Sequence, residues 1–198
     1  MKTILRLALA CAGALSLSAC VTTTSYVDPR GLQAAGAPTV RGLERPIPVR
    51  VDARFEVNGA PAPQADGALQ SQIEQALRDS GVFAPSGDPG TAAAITVTVN
   101  DTVDLKSAHK KGVHAGLTLG SSGALVPDSY TYNASYASGR EAPYRASYRH
   151  AILTAVGNNV AAPAEATPTT PADAFHRVIA GMTLRFVRDL QAQGLATR

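Results

Sequence analysis

The sequence predicts an α+β fold: a two-layer α/β sandwich in which two helices cover one face of a largely antiparallel sheet. Three observations lead there. Residues 48–58 and 93–103 alternate between apolar and polar, the period of a strand with one buried face. Two stretches, opening near Asp66 and Thr170, carry apolar residues at helical spacing instead. Five of the six tyrosines fall between Tyr130 and Tyr148, in two alternating runs on either side of Ser138-Gly139-Arg140, which is a hairpin pattern. The element order is β-α-β, a glycine-rich segment, then β-β-α.

The chain starts with Lys2 and Arg6, followed by an apolar run of nine residues, Leu7 to Leu15, and then the small residues Ser16, Ser18 and Ala19. That is the layout of a secretory signal peptide, and nine residues fall well short of the roughly 20 that span a bilayer as a helix. Leu17-Ser18-Ala19-Cys20 resembles the lipobox of bacterial lipoproteins. The resemblance implies that residues 1–19 are removed, that the Cys20 thiol carries a diacylglycerol, and that the new amino terminus is acylated. Several chains are needed because a single acyl chain binds a membrane only marginally. Val21, in place of an aspartate, resembles the outer-membrane sorting pattern of Gram-negative lipoproteins. The implied location is the outer membrane, with the domain facing the periplasm. Cys11 would leave with the signal, so an unlipidated Cys20 would be a lone thiol in an oxidising compartment.

Removing residues 1–19 from 198 leaves 179, enough for one domain with its own core. Lys2 and Arg6 leave too, and every acidic residue follows Cys20, so 16 cations face 15 anions. A balance of +1 gives no reason to expect nucleic acid as a partner. Residues 20–45 are rich in Thr, Ser, Gly, Ala and Pro without a sustained period and read as the acylated cysteine plus a flexible tether, with a reach of about 25–30 Å. Residues 46–198 form the single domain.

Within it, Val49, Val51, Ala53, Phe55 and Val57 supply one face of the first strand, which Asn58-Gly59, Pro61 and Pro63 end. Asp66 is the expected N-cap of the first helix. Leu69, Ile73, Ala76 and Leu77 are its buried stripe, Glu74 and Arg78 can pair one turn apart, and Gly81 stops it. Ile95, Val97 and Val99 mark the second strand. The hairpin strands run from Ser129 to Ala137 and from Pro143 to Ala155. Tyr130, Tyr132 and Tyr136 share one face and Tyr144 and Tyr148 another, which fits packing beneath a helix or an aromatic platform for a ligand. Thr170 caps the last helix, Pro171 takes its first position, and Phe175, Val178, Ile179, Met182, Phe186 and Leu190 form its stripe.

The segment from Gly112 to Val126 carries no charge and holds Gly112, Gly116, Gly120 and Gly123. Three structures are open to it. As a helix, the glycines would make a packing groove at a cost of about 0.8–1 kcal/mol each. As a strand or hairpin, it would have one face of little bulk. As a loop, it would be a long apolar flap. Gly112, Gly116, Leu117, Leu119, Gly120 and Gly123 are therefore candidate contacts to a membrane or a partner.

The piece from Ala68 to Val99 is a helix ending in Leu77-Arg78-Asp79-Ser80-Gly81-Val82-Phe83, a short loop and an alternating strand. It resembles the small periplasmic α/β domains of the amino-terminal part of the Tol-system propeller protein and of ABC-transporter auxiliary lipoproteins. The likeness covers about a sixth of the chain and implies a fold and a periplasmic setting.

No catalytic constellation stands out. Gly120-Ser121-Ser122-Gly123 lacks the second glycine of a nucleophile elbow, since Ala124 follows. The glycines at 112, 116 and 120 have the wrong spacing for a dinucleotide fingerprint, and no Gly-Lys-Ser or Gly-Lys-Thr follows them to make a phosphate loop. Asp101, Asp104, His109 and His114 match no metal-ligand spacing, and His150 and His176 read as core-edge or surface residues. The expectation is a non-enzymatic, cofactor-free accessory or assembly subunit of an envelope complex, held to the membrane through Cys20 and contacting an envelope protein. The alternative is a carrier for a lipid or another apolar ligand. A subunit should expose an apolar patch of several hundred Å²; a carrier should enclose a pocket of roughly 300–1,000 Å³.

Overall fold

The computed structural model describes residues 23–33, 39–103, 124–139, 142–156 and 160–197. They form an α+β fold with a seven-stranded mixed sheet. The strands are β1 (Thr23–Val27), β2 (Ile47–Val57), β3 (Ala60–Pro61), β4 (Phe83–Pro85), β5 (Ala93–Thr102), β6 (Ala124–Ser138) and β7 (Tyr144–Val156). The helices are α1 (Pro29–Gln33), α2 (Asp66–Asp79) and α3 (Pro171–Ala192). The sheet order is β1-β7-β6-β5-β2-β3, with β4 also pairing β2. The β2–β5 and β2–β4 pairings are parallel and the others antiparallel. Among the described residues, no helix is long and apolar enough to cross a membrane.

The two long helices pack on each other and on one face of the sheet. The stripe of α2 is the expected one, Leu69, Ile73, Ala76 and Leu77, against Val49 and Ala53 of β2 and Ile95, Val97 and Val99 of β5 in a single core. Val178, Ile179, Phe186 and Leu190 of α3 are 0 % exposed, and burying each contributes about 2 kcal/mol. The tyrosines are consumed by this packing. Tyr144 stacks on Phe186 at 6.1 Å, Tyr130 meets Phe175 edge-on at 5.4 Å and Tyr136 lies 5.6 Å from Phe83. The hairpin tyrosines thus line the underside of the helical layer.

Local signals explain most of the element ends. The Thr170 hydroxyl accepts the Asp173 N–H at 3.1 Å, and Pro171 follows it, an N-cap that uses a proline where no donor is needed. Gly81, at φ +65°, ends α2 and turns the chain so that Val82 and Phe83 enter the core. Asn58 and Gly59 both have positive φ and close a two-residue hairpin between β2 and β3, the turn geometry that Asn-Gly favours.

Three expectations need correction. Asp66 is not the N-cap of α2 but its first residue, with Ala65 at the cap; its Oδ1 accepts the Phe55 N–H at 2.7 Å instead. The carboxylate thus fastens the helix start to β2. Residues 20–45 are not one flexible tether. Thr23–Val27 pairs along β7 from Val156 to Ile152, and α1 follows. Further on, the Gln191 side chain holds both backbone groups of Arg41, accepting its N–H at 3.1 Å and donating to its carbonyl at 2.6 Å. The Leu43 N–H reaches the Gly81 carbonyl at 2.9 Å. Backbone hydrogen bonding is blind to side-chain periodicity, so segments without a period can still dock on an open strand edge. Finally, β6 starts at Ala124 rather than Ser129, so the last residues of the glycine-rich segment, 124–126, are strand. Residues 104–123 lie outside the described residues.

Candidate functional site

The site residues expected from sequence, Cys20, Gly112, Gly116, Leu117, Leu119, Gly120 and Gly123, all lie outside the described residues. The described chain leaves β5 at Thr102 and re-enters at Ala124 on β6, and this end of the sheet gathers ionisable groups. Asp101, Tyr130 and His150 sit directly opposite one another across β5, β6 and β7. They share the helix-facing side because Asp101 follows Val97 and Val99 in the alternation, Tyr130 precedes Tyr132, and His150 follows Tyr148. Asp128 lies two residues before Tyr130 on the same face. Phe175, at the start of α3, packs against both Tyr130 and Phe55, which forms an aromatic wall between this row and the core.

The electrostatics follow from burial. Burial first, and then the neighbouring Asp128, push the Asp101 carboxyl up to about 6. Burial also raises Asp128. Tyr130 is raised by burial and then by the two carboxylates. His150, 7 % exposed, is lowered by burial, against opposing pulls from the Ala151 backbone and Asp28. Asp101 Oδ1 and His150 Nε2 are buried and have no hydrogen-bond partner among the described residues.

His150 is covered by the segment that follows β1. Its Nδ1 accepts the Ala151 N–H at 2.8 Å and lies 3.2 Å from the Ala151 carbonyl oxygen. That carbonyl also accepts the Asp28 N–H at 3.0 Å. Gly31 of α1 lies flat on the imidazole: a Cβ there would come within 2.8 Å of Cε1 and 2.9 Å of Nδ1. Only glycine fits. Arg30 clasps the Asp28 carboxylate, with Nη2 to Oδ2 at 2.8 Å, and this contact, more than any other, holds the Asp28 carboxyl below its ordinary range.

Sequence reading placed His150 at the core edge and gave Asp101 no partner. Both were findable. Each occupies an inward position in an otherwise apolar alternation, and that parity was the signal.

The opposite face of the sheet carries no helix among the described residues. Its cross-strand rows are Asp52–Thr96–Ser135–Arg145, Arg54–Thr98–Asn133–Ser147 and Glu56–Asn100–Thr131–Arg149. A shallow depression of about 430 Å³ lies over Thr96, Thr98, Asn133, Ser135, Arg145 and Ser147. A second groove of about 550 Å³ is lined by Arg50, Asp52, Gln70, Glu74 and Ser86, among others. The lining of this second groove is mainly polar. Among the described residues Val57 is the one large hydrophobic side chain left exposed, and no three His, Cys, Asp or Glu side chains converge to hold a metal.

No family model and no curated protein matches this chain. Among solved structures, a PelC dodecamer from Paraburkholderia phytofirmans is similar, at 12 % identity over 86 % of this chain and 97 % of that one, with a TM-score of 0.36. At that score the likeness carries no argument about function.

Proposed function

We propose that this protein is an outer-membrane-anchored periplasmic lipoprotein that serves as a non-enzymatic accessory or assembly subunit of an envelope complex. The observation that carries the reading is Leu17-Ser18-Ala19-Cys20 at the end of a short apolar run behind Lys2 and Arg6. Cys20 holds the acyl chains, and the domain faces the periplasm. The outer sheet face supports an assembly role. It presents uncharged Thr, Asn and Ser side chains at its centre, with Arg145 and Arg149 at one edge, and arginine is favoured and lysine disfavoured in protein contacts. The groove of about 550 Å³ has a mainly polar lining, which suits a polar protein contact better than an apolar cargo.

Two measurements test the reading separately. A Cys20→Ala variant should lose fatty-acid labelling and leave the membrane fraction; a variant that stays labelled and membrane-bound overturns the anchor. Cross-linking of the lipidated protein in intact envelopes should then capture one stoichiometric protein partner. Arg145→Glu with Arg149→Glu should abolish that capture while the domain stays folded. Co-purifying lipid with no protein partner would favour the carrier instead.

A further inference from the structure

We propose that His150 is an acid-sensitive latch for the amino-terminal arm, residues 23–33: protonating its imidazole releases β1 and α1 from β7. Besides the β1–β7 ladder and the two backbone bonds between Ser25 and Thr169, the arm is held at a place where side-chain chemistry and backbone hydrogen bonding share atoms. Neutral His150 accepts the Ala151 N–H at Nδ1, which leaves the Ala151 carbonyl free for the Asp28 N–H. A proton on Nδ1 ends that arrangement. The nitrogen can no longer accept, so the Ala151 N–H loses its partner. The new Nδ1–H faces the carbonyl oxygen 3.2 Å away, which then shares its lone pairs between the imidazolium and the Asp28 N–H, weakening the latter. Gly31 lies against the ring with no room for even a methyl group, so a ring that turns toward the arm must displace it.

The charges around the ring set the direction of the response. From the arm, Asp28 faces the imidazole and favours its protonated form, but Arg30 already occupies that carboxylate. From β6, Tyr130 stands directly opposite and Asp128 diagonally; Tyr130 is neutral and, with its raised pKa, stays so. Asp101 lies beyond Tyr130 on β5. From α1 the ring meets Gly31, which carries no charge. Burial therefore dominates, and a cation at this position is disfavoured. The arm binds the neutral ring, and acid favours the detached state. The remainder of the sheet, built on β2, β5, β6 and β7, does not use this contact.

Hydrogen exchange on the full-length protein in detergent micelles tests the latch, with rates corrected for the intrinsic pH dependence. Amides of Tyr26 and Asp28 should lose protection several-fold between about pH 7.5 and about pH 5, because the attached arm lowers the proton affinity of the ring. Val97 and Tyr132 should stay protected. In His150→Gln the arm's protection should not change with pH. Equal protection of the arm at both pH values, an equal loss in His150→Gln, or a simultaneous loss at Val97 and Tyr132 would overturn the proposal. Should His150→Gln fail to fold, NMR titration of the wild-type His150 ring decides: a midpoint coincident with arm opening supports the latch, and a separate one overturns it.

Discussion

Tyr132 Oη and Thr183 Oγ1 lie 3.0 Å apart in the buried seam between β6 and α3. Thr183 is itself committed, its hydroxyl donating to the Ile179 carbonyl at 2.9 Å, so the tyrosine must be the donor. The order of donors makes the two ends unequal. Tyr132→Phe removes one hydrogen bond but leaves Thr183 with its carbonyl partner, and should cost about 1 kcal/mol. Thr183→Val strands the Tyr132 hydroxyl in a fully buried site and should cost more, up to about 3 kcal/mol. The double variant should cost less than the sum of the two. Urea denaturation of the three variants measures this.

Asp101 predicts a pH dependence of the opposite sign to that of His150. The folded carboxyl keeps its proton up to about pH 6, an unfolded one only to about 3.9. Folding at neutral pH therefore forces a charge into a half-buried site. The contribution of this group to stability is greatest below about pH 4 and is lost as the pH rises through about 6. Asp101→Asn should be more stable than the parent above pH 6, by about 1 kcal/mol once solvent screening of the exposed half is allowed for, and equal to it below about pH 4. Denaturation curves at both ends of that range check it. No gain at pH 7.5 would mean that an unidentified cation already compensates the charge.

Gln191 should act as a clasp. Its amide spans the N–H and carbonyl of Arg41, so Gln191→Ala removes both bonds at once. The site is exposed, and the loss of stability should stay near about 1 kcal/mol. Exchange at the Arg41 and Leu43 amides should accelerate while α3 remains protected.

Gly81 and Gly139 have nearly the same backbone, φ +65° and +70°, but different surroundings. A Cβ on Gly81 would approach the Gly42 Cα at 3.3 Å, whereas one on Gly139 meets nothing within 4 Å. Gly139→Ala should cost only the backbone strain, about 1 kcal/mol. Gly81→Ala should cost more and should also loosen residues 42–43. Thermal melts of the two variants separate the strain from the contact.

The layers of this fold were legible where burial imposes a period. Leu69, Ile73 and Leu77 repeat because one side of α2 faces Val49 and Ile95, and the hairpin tyrosines alternate because α3 lies over them. Beyond the β6–β7 hairpin, features that depend on pairing were not legible. The alternation from Val49 to Val57 reads the same whether β5 runs parallel or antiparallel to it. In β1, Ser25 faces Thr154 with their hydroxyl oxygens 3.3 Å apart, and only Tyr26 and Val27 are apolar, adjacent rather than alternating. β4 has three residues, too few for any period. The row of Asp101, Tyr130 and His150 exists only once the register of three strands is known. Its members could still have been suspected, since each puts a polar group on an inward parity.

The docked arm also sets a distance. Thr23 opens β1, and only Val21 and Thr22 separate it from Cys20. Three peptide steps span at most about 11 Å. A chain acylated at Cys20 would therefore ride close against the lipid headgroups for as long as β1 stays paired, with the β1–β7 margin of the sheet nearest the bilayer. Detaching the arm would release residues 23–33 while Gln191 still holds Arg41, and the same domain could then stand farther from the bilayer.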